Sequence, residues 1–501
     1  MRHRWACGPE GVSPVGPPLR TTAAAGPPTI TDLYNREILP GMSETRSSAP
    51  VERPVVLTIA GSDSGGGAGI QADLKTIEAT GGFGVSALTA VTAQNTMGVE
   101  SSHVLPVAEL QAQVEAVLAD FDVAAVKTGM LATTEVVETV TEYAADLSCP
   151  LVVDPVMVAA TGDRLLTEAA EAAYEELTAE ATLVTPNAAE AGGLTDVEPD
   201  DEAGARLAGQ RLLTMGADAA LVTGGHIPGE EVLDVLVTES DIEVARHPRI
   251  DTDATHGSGC ALSAAIATRL ARGEALADAV GRSVAFIERA VRYHHDVGEG
   301  PGAVHHLVAL RNEAGREATA EAVADLVRRF ERDDVRTLVP EVGTNVVGAT
   351  PYAERPDETA AVEGRITRTL DGVRATGGVR FGASSHVARF LLSAREYHPE
   401  LRFAVNCRFD GDVEAALDSL GWPVAEYDRA AEPDDAAGTM DWAARQAFAP
   451  VADGERPVAV VDRGAVGKEP MTKLVAEAAR TLADRVLELN GEAVSGPDAD
   501  H

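Results

Sequence analysis

Lysine is scarce in this chain. The sequence has 41 basic residues against 79 acidic ones, for a formal net charge of −38, and all the basic residues except Lys75, Lys127, Lys468 and Lys473 are arginine. A chain this acidic repels phosphate backbones, which argues against nucleic acid as a partner. An acidic, lysine-poor surface is also typical of proteins that work at high salt, where screening removes self-repulsion. We therefore expect a halophilic protein.

Aromatic residues, cysteines and long apolar runs are also rare. An aromatic content of 4% favours α/β layering over an aromatic-rich β-sandwich. The four cysteines form no CxxC pair and no zinc spacing, which fits a reducing cytoplasm. Of these, Cys149 and Cys407 are expected in the core. No apolar run approaches the length of a membrane span, so we expect no membrane association.

The N-terminal segment differs in composition from the rest of the chain. It is rich in proline and glycine, shows no periodicity and lacks the apolar core of a signal peptide. Residues 1–53 are therefore predicted to be a disordered extension, or a start placed too early with Met42 as the true first residue. The remaining length is enough for two or three domains.

Strand-like and helical segments alternate through the first half. This alternation predicts a parallel sheet covered by helices on both faces. Ligands of such sheets bind beyond the carboxyl ends of the strands, where polar and glycine-rich residues follow each apolar run here. The apolar runs span residues 55–60, 85–93, 123–127, 151–154, 182–185 and 219–223. The residues expected to gather at their ends are Asp154, Asn187, Glu190, the Gly224-Gly225 turn and the loop 257–260.

The stretch Gly257-Ser258-Gly259-Cys260 precedes an alanine-rich run with helical propensity. A Gly-x-Gly turn at a helix N-terminus presents free backbone N–H groups to an anion. Cys260 would stand in the first turn, where a thiol pKa tends to fall. The alternative is a capping glycine, a turn and a buried cysteine. Paired acids beside such an anion hole suit Mg-assisted phosphoryl transfer.

Seven motifs make the first half resemble a known family. It resembles hydroxymethylpyrimidine/phosphomethylpyrimidine kinase of thiamine biosynthesis, in the ribokinase-like superfamily, over residues 54–306. The resemblance implies an α/β, ribokinase-like layered fold with a central, mostly parallel sheet. It also implies two successive ATP-dependent phosphorylations of 4-amino-5-hydroxymethyl-2-methylpyrimidine, with pyridoxal kinase of the same superfamily as the alternative. The motifs lie at residues 59–64, 67–75, 93–96, 127–131, 153–157, 185–190 and 255–260.

The same resemblance implies residue roles. Gln94 is expected to bind the aminopyrimidine edge, helped by Asp73 and the Gly61 loop, with Met130 packed nearby. Gly257 and Gly259 would form the anion hole, and Cys260 would stand at the catalytic-base position. The residues implied to organise Mg²⁺ and the ATP phosphates are Asn187, Glu190, Asp154, Thr223 and Gly225. Thr223 replaces a lysine that many relatives carry, so one positive charge near the nucleotide is missing.

The second half starts a fresh pattern. A charged amphipathic helix within residues 307–335 is predicted to link or lead a second, smaller α/β domain at 336–490, followed by a disordered tail at 491–501. Four histidines lie near the domain end, but no cysteine or acidic ligand spacing accompanies them. We expect them at the surface, with no tightly bound structural metal. They are His294, His295, His305 and His306.

Residues 315–490 resemble the thiamine-phosphate synthase domain that archaea fuse to the pyrimidine kinase. The resemblance implies that the pyrimidine diphosphate and thiazole phosphate condense to thiamine phosphate with release of diphosphate. Arg365 and His386 stand at the positions tied to activity, and Ser384 and Ser385 precede a helix that would hold the diphosphate. The alternative is a regulatory module that senses thiamine phosphate. The resemblance to the synthase domain rests on Asn345 and on residues 364–366, 381–386, 440–442 and 462–470.

The resemblances define the partners. They are small molecules: ATP, hydroxymethylpyrimidine and its phosphates, and thiazole phosphate. We further expect a homo-oligomer.

Overall fold

A computed structural model describes residues 51–157, 168–225, 227–428, 431–432, 438–451, 456–465 and 467–495. The predicted extension 1–53, apart from its last three residues, lies outside the described residues. The described residues from Arg53 onwards belong to one compact unit. Among the described residues, no helix is both long and apolar enough to cross a membrane.

The first half is built on a nine-stranded sheet in the order β3-β2-β1-β4-β5-β6-β7-β8-β9. Its six inner strands, from β2 to β7, run parallel, while β3, β8 and β9 are antiparallel additions. The predicted mostly parallel sheet is confirmed. The strands are β1 (Val55–Ser62), β2 (Phe83–Asn95), β3 (Gly98–Val104), β4 (Val123–Thr128), β5 (Leu151–Val153), β6 (Leu183–Val184), β7 (Ala219–Val222), β8 (Glu231–Thr238) and β9 (Ile242–Pro248).

Helices cover both faces of this sheet, because the central strands are apolar on both sides and must be buried twice. Leu57 and Val126 pack into one apolar cluster, whereas their neighbours Val56 and Ala125 pack into the opposite one. The helices are α1 (Gly69–Thr80), α2 (Val107–Asp120), α3 (Thr134–Ala144), α4 (Glu168–Ala179), α5 (Ala188–Thr195), α6 (Glu202–Met215), α7 (Ser258–Ala271) and α8 (Leu276–Arg292).

The predicted helix between the halves is interrupted. Helix α9 (Val308–Ala314) ends and α10 (Arg316–Asp333) begins at Gly315, against which the Pro351 ring packs. Helix α10 packs its apolar side on the second sheet through Val323, Leu326 and Phe330. It therefore belongs to the second core as well as to the connection.

The second sheet has seven strands in the order β14-β11-β10-β15-β18-β17-β16, and a separate hairpin joins β12 to β13. All its neighbours are antiparallel except β16 and β17. The elements are β10 (Val346–Ala349), β11 (Thr359–Val362), β12 (Ile366–Thr369), β13 (Gly372–Ala375), β14 (Val379–Phe381), α11 (His386–Arg395), β15 (Phe403–Arg408), α12 (Gly411–Leu420), β16 (Val424–Glu426), α13 (Thr439–Phe448), β17 (Ala459–Asp462), β18 (Met471–Ala476) and α14 (Ala479–Val494).

Two of the histidines and one of the cysteines lie elsewhere than expected. His305 and His306 are buried rather than at the surface, since the first is 1% and the second 4% exposed. Burial lowers the pKa of each imidazole to about 4. Cys407 is buried as expected, whereas Cys149 is half-buried at the edge of the first core.

The two halves meet through a buried polar contact. Glu358 accepts hydrogen bonds from Arg289 at 2.9 Å and from Asn312 at 2.8 Å. Tyr352 stacks edge-on against Tyr293, with ring centroids 5.3 Å apart. These directional hydrogen bonds between buried polar groups favour one specific arrangement of the two halves.

Candidate active sites

A cavity of about 390 Å³ lies beyond the carboxyl ends of the parallel strands. This is where the strand pattern predicts a ligand site. Most site residues predicted for the first half line this cavity: Gly61, Gln94, Met130, Asp154, Asn187, Glu190, Thr223, Gly257, Gly259 and Cys260. Asp73 and Gly225 are not among the lining residues.

Asp63 organises one wall of the cavity. Its buried carboxylate accepts backbone N–H groups of Gly65, Gly67 and Ala68, and His256 Nε2 lies 3.2 Å away. Although burial opposes it, these bonds hold the pKa of Asp63 below its usual range. The carboxylate therefore fixes the glycine-rich turn between β1 and α1. Asp63 was missed as a site residue, although it follows a buried strand and opens a run of glycines.

Gln94 stands at the end of β2, facing His256. Its side-chain nitrogen lies 3.4 Å from His256 Nε2, and its oxygen is 3.2 Å from the Thr92 hydroxyl. The amide is therefore oriented before any ligand arrives. An oriented amide suits a planar ring with both donor and acceptor atoms.

The loop at 257–260 forms the N-terminus of α7, as predicted. Gly257 caps the helix at φ 81°, and no side chain caps its N–H groups. The Ser258 N–H donates to the Thr255 carbonyl at 3.0 Å, and the neighbouring N–H groups of this first turn remain available to an anion in the cavity. The Gly69 N–H at the start of α1 also lies against the Cys260 sulfur. Two helix N-termini thus converge on this end of the cavity.

The expected low thiol pKa at Cys260 is wrong. Burial raises the pKa of Cys260 to about 12, and the Asp73 and Asp154 carboxylates add to the effect. The opposing influences, from Lys127 and the Gly69 N–H, are weaker. A helix N-terminus alone does not activate a thiol when carboxylates and apolar packing surround it.

Lys127 was missed as a site residue. Lys127 is one of the residues that line the cavity, and its buried ammonium lies 3.0 Å from both Asp73 oxygens and 3.8 Å from Asp154 Oδ2. Burial opposes the charge, but Asp73, the Cys260 sulfur and Asp154 together outweigh it and raise the pKa of Lys127. A lysine at the end of an apolar strand, in a chain with four lysines, was the available signal.

Asp73 lies beneath the cavity rather than in its wall. The side chain is fully buried, and its carboxylate accepts from Thr58 Oγ1 at 2.6 Å as well as from Lys127. The predicted help to Gln94 in binding substrate is therefore not a direct contact in this arrangement.

Asn187 and Glu190 form a reciprocal capping box at α5. The Asn187 side chain accepts from the Glu190 N–H at 3.0 Å, and the Glu190 carboxylate accepts from the Asn187 N–H at 2.9 Å. Burial and the nearby Asp154 carboxylate raise the pKa of Glu190 to about 8. Burial also raises the pKa of Asp154.

This donor set fits a magnesium ion shared with nucleotide phosphates. Mg²⁺ is commonly held by one or two protein carboxylates plus substrate oxygens. Asp154 and Glu190 disfavour each other's ionisation, so a divalent cation would relieve their repulsion. Among the described residues, no cluster of three or more histidine, cysteine or acidic side chains is arranged to hold a metal by itself.

Gly225 lies in the loop after β7, outside the cavity lining. Its carbonyl accepts from Arg249 Nη1 at 2.7 Å, and the same guanidinium binds the Ile227 and Gly229 carbonyls. Thr223 does line the cavity, and its N–H donates to the Pro186 carbonyl at 2.9 Å. Arg249 thus braces the loop after β7 by binding three of its carbonyl oxygens.

In the second half, Ser384, Ser385 and His386 gather at the N-terminus of α11. Ser384 is buried, and its hydroxyl has no hydrogen-bond partner among the described residues. The Ser385 hydroxyl lies 3.3 Å from His386 Nδ1 rather than capping the helix. The free N–H groups and the spare hydroxyl match the predicted anion site.

Strands β11 and β14 pair with each other, and Arg365 and the N-terminus of α11 follow opposite ends of this pair. At one end of the pair the Gly382 N–H donates to the Thr359 carbonyl. At the other end the Glu363 N–H donates to the Gly378 carbonyl. Those ends are four residues apart, about 13 Å along a strand. Arg365 follows Glu363, whereas Ser384 follows Gly382. The backbone therefore does not bring the predicted arginine beside the predicted histidine.

The comparisons with known proteins agree with this division. Residues 63–305 match the family model described as phosphomethylpyrimidine kinase, and residues 322–488 match the one described as thiamine-phosphate synthase ThiN. Both matches fall on the regions that carry the two sites described above.

Three similar proteins illustrate the matches. The hydroxymethylpyrimidine/phosphomethylpyrimidine kinase of Streptomyces coelicolor is 47% identical over 53% of this chain and 99% of its own length. The thiamine biosynthesis bifunctional protein ThiED of Geobacter sulfurreducens is 44% identical over 54% of this chain and 55% of its own. The pyridoxal kinase of Bacillus subtilis, solved with ADP, is 33% identical over 52% of this chain and 99% of its own, with a TM-score of 0.49. The chain belongs to the hydroxymethylpyrimidine/phosphomethylpyrimidine kinase family, and it carries a C-terminal thiamine-phosphate synthase domain of the ThiN family.

Proposed function

We propose that this chain carries out three consecutive steps of thiamine biosynthesis. Its first half, at about residues 54–306, phosphorylates hydroxymethylpyrimidine with ATP, first to the monophosphate and then to the diphosphate. Its second half, at about residues 336–490, joins that diphosphate to thiazole phosphate. The observation that carries the proposal is the cavity that Cys260 shares with Asp154, Glu190 and the N-terminus of α7.

In the kinase step, the hydroxymethyl oxygen attacks the γ-phosphorus of ATP. The O–P bond forms as the bond to ADP breaks, and the alcohol proton passes to the thiolate form of Cys260. The N–H groups of Gly257, Gly259 and Cys260 stabilise the charge that develops on the transferring phosphoryl group. Gln94 orients the pyrimidine ring, and Met130 packs against it.

Asp154 and Glu190 hold the magnesium in this proposal. The ion supplies charge neutralisation on the phosphates. Asn187 keeps Glu190 at the start of α5 through the capping box, so the carboxylate stays at the cavity. Arg249 braces the loop that carries Gly225, and Thr223 closes this end of the nucleotide site.

In the synthase step, the bond between the pyrimidine methylene and the diphosphate oxygen breaks, and the thiazole nitrogen attacks the exposed carbon. Ser384, Ser385 and the N-terminus of α11 bind the departing diphosphate. His386 adds a donor there, and Arg365 gives a permanent charge to a substrate phosphate. The released diphosphate carries the bonding electrons away.

The kinase assignment is tested with purified full-length protein and ATP. Hydroxymethylpyrimidine, its monophosphate and pyridoxal are offered separately, and ADP formation is followed. We expect turnover with the two pyrimidines and a loss of about 10²- to 10⁴-fold in Cys260→Ser, the usual contribution of general acid–base catalysis. Cys149→Ser serves as control. Faster turnover with pyridoxal would contradict the substrate, and an active Cys260→Ser would contradict the base.

The synthase assignment is tested without ATP. The protein is incubated with the pyrimidine diphosphate and thiazole phosphate, and thiamine phosphate is measured. Arg365→Ala and His386→Ala should each abolish most product while leaving kinase turnover intact. If wild-type protein makes no thiamine phosphate but binds it, the second half is a sensor.

The proposal also covers the compartment, the salt concentration and the oligomeric state in which the enzyme works. The enzyme works in the cytoplasm, at high salt and as a homo-oligomer. Kinase activity in increasing KCl and light-scattering mass at each concentration test this. An optimum below about 0.2 M KCl, well before screening is complete, would contradict salt adaptation.

A further inference from the structure

We propose that His256, held by Asp63, is a positioning residue of the kinase site that sets the orientation of the Gln94 amide. In that orientation the amide oxygen faces His256 and the amide nitrogen faces Thr92. The orientation decides which way round a pyrimidine ring enters the cavity. The inference takes its substrate from the proposed function and its geometry from the site alone.

The first support is the hydrogen on His256 Nε2. This nitrogen lies 3.2 Å from Asp63 Oδ2, and the buried carboxylate already accepts three backbone N–H groups of the turn at 65–68. An ionised carboxylate only accepts, so Nε2 is the donor of this contact. Nε2 holds a single hydrogen and therefore does not accept another from the Gln94 side-chain nitrogen at 3.4 Å.

The second support comes from Thr92 and is independent of the imidazole. The Thr92 hydroxyl donates its one hydrogen to the Ser62 carbonyl at 2.7 Å, and the same hydroxyl lies 3.2 Å from the Gln94 side-chain oxygen. With its hydrogen used, the hydroxyl is left as an acceptor and needs the amide nitrogen as its partner. Both neighbours therefore favour exchange of the two amide ends. A half-turn of the amide provides it, since oxygen and nitrogen are nearly equal in size.

The imidazole that directs the amide is itself held in place. Its side chain is 16% exposed, and a Cβ added at Gly67 would lie 2.5 Å from His256 Cδ2. On the other side, the His256 carbonyl accepts the Val304 N–H at 3.3 Å. The Nε2 donor thus keeps one position at the cavity, which His256, Asp63, Thr92 and Gln94 all line.

The proposed orientation leaves one N–H and one oxygen lone pair of Gln94 for a ligand. The N–H is on the Thr92 side and the lone pair on the His256 side. The matching ligand edge has an acceptor beside a donor, as a pyrimidine ring nitrogen beside an exocyclic amine does. In the proposed substrate the hydroxymethyl group is the next substituent after that amine. Because His256 directly precedes Gly257, this orientation turns the alcohol towards the loop at 257–260, and the reverse orientation turns it away.

The first test compares two substrates whose binding edges are reversed. The 4-oxo analogue of hydroxymethylpyrimidine carries a hydrogen on the ring nitrogen and an acceptor oxygen in place of the amine. Full-length protein is given ATP and either compound, and kcat/KM is measured for each. The wild type should favour the 4-amino compound by about 10²-fold or more, the effect of two mismatched hydrogen bonds. His256→Leu should narrow this ratio about tenfold, because the amide is then free to turn.

Two further histidine variants sharpen this comparison. His256→Gln carries an amide nitrogen that can donate in place of Nε2, so it should keep most of the wild-type ratio. His103→Leu, exposed on β3, is the control and should leave the ratio unchanged. The same narrowed ratio in His256→Gln and His256→Leu would overturn the proposal, because the donor would then not matter.

A merely structural role predicts an unchanged ratio. If His256 only packs, His256→Leu slows both substrates equally, and that result would overturn the proposal. Thr92→Val removes the second neighbour without touching the imidazole, and it keeps the shape of the side chain. It should narrow the ratio about tenfold, the effect of one hydrogen bond. An unchanged ratio in this variant would contradict the proposal as well.

The second readout needs no substrate. Protein labelled with ¹⁵N-histidine is observed by NMR in neutral buffer, and the His256 signals are identified by their loss in His256→Leu. Ring nitrogens with and without hydrogen resonate far apart, and we expect the hydrogen on Nε2. A bare Nε2 would overturn the proposal even in an active kinase. If Nε2 carries its hydrogen and the protein phosphorylates neither pyrimidine, the proposed function fails and the contact between His256 and Asp63 stands.

Discussion

A Cβ atom added at Gly257 would lie 1.8 Å from the carbonyl oxygen of Gly67. The loop before α7 and the turn before α1 are thus in direct backbone contact. The φ of Gly257 is also +81°, a conformation that disfavours other residues. Two segments almost two hundred residues apart therefore meet only if glycine occupies this position.

Gly257→Ala should unfold or strongly destabilise the protein. The backbone strain alone is about 1–3 kcal/mol, and the overlap with Gly67 adds to it. Gly259→Ala should fold normally, because a Cβ there has open space, but it narrows the anion site and should raise the KM for ATP. Thermal melting and ATP kinetics distinguish the Gly257→Ala variant from the Gly259→Ala variant. Gly281→Ala, on α8 with open space, is the control and should leave both readouts unchanged or add about 1 kcal/mol of stability.

Glu190→Gln should stabilise the protein at high pH. The raised pKa means that the folded state holds a proton that the unfolded chain releases near pH 4.5, so stability falls as pH rises from about 4.5 to about 8. Glutamine keeps the acceptor for the Asn187 N–H without the charge. The melting temperature of the Glu190→Gln variant should exceed that of the wild type at pH 9 and match it at pH 4.5. A constant difference across this range would contradict the pKa.

The same carboxyl makes nucleotide binding proton-linked. A pKa of about 8 predicts that Glu190 is mostly protonated at pH 7 in the free enzyme, and binding Mg²⁺ with ATP should displace the proton. Calorimetry in two buffers of different ionisation enthalpy should show release of nearly one proton by the wild type and none by Glu190→Gln. Equal release in both would place the linkage elsewhere.

His305 and His306 should make the fold acid-sensitive. Their pKa values of about 4 mean that the unfolded chain binds protons first, so stability is lost as pH falls from about 6.5 to about 4. Burial is the main cause, with Lys75 and His295 adding repulsion. Replacing both histidines with glutamine should flatten the fall in melting temperature between pH 7 and pH 5. The exposed His103→Gln is the control, and an equally steep fall in the double variant would contradict this account.

Arg249→Lys should weaken ATP binding without slowing chemistry. Lysine cannot reproduce the three carbonyl contacts of the guanidinium, so the loop carrying Gly225 should loosen. We expect the KM for ATP to rise about tenfold, the effect of losing one or two hydrogen bonds, with kcat unchanged. Arg211→Lys, exposed on α6, is the matched control. A fall in kcat with unchanged KM would show that the loop serves catalysis instead.

Much of the first half was predictable because its signals are local. The apolar runs at 55–60 and 123–127 both became parallel strands, and the turns after them line the cavity. The antiparallel strands β8 and β9 were not foreseen. β9 is an edge strand with an alternating, partly exposed pattern, whereas β8 is an inner strand whose apolar run was not recognised. The break at Gly315 was missed because the helical periodicity continues across it.

The electrostatics of the site residues were the feature that the sequence predicted least well. The position of Cys260 in the first turn of a helix predicts a lowered thiol pKa. Burial and the carboxylates of Asp73 and Asp154 raise that pKa instead. Those carboxylates come from other segments of the chain. The burial of His305 likewise depends on Tyr352 in the second half, whose ring centroid lies 5.1 Å from the imidazole.

The sequence by itself determined the layered first domain, the end of the sheet at which its site lies, and the residues that follow each strand, because alternating patterns and strand polarity are local properties. Only the tertiary structure decided which charges face one another. It paired Lys127 with Asp73, set Glu190 beside Asp154, and sent Arg365 and Ser384 to opposite ends of one strand pair. These outcomes depend on distances between segments far apart in the chain, and Coulomb interactions and burial are functions of those distances.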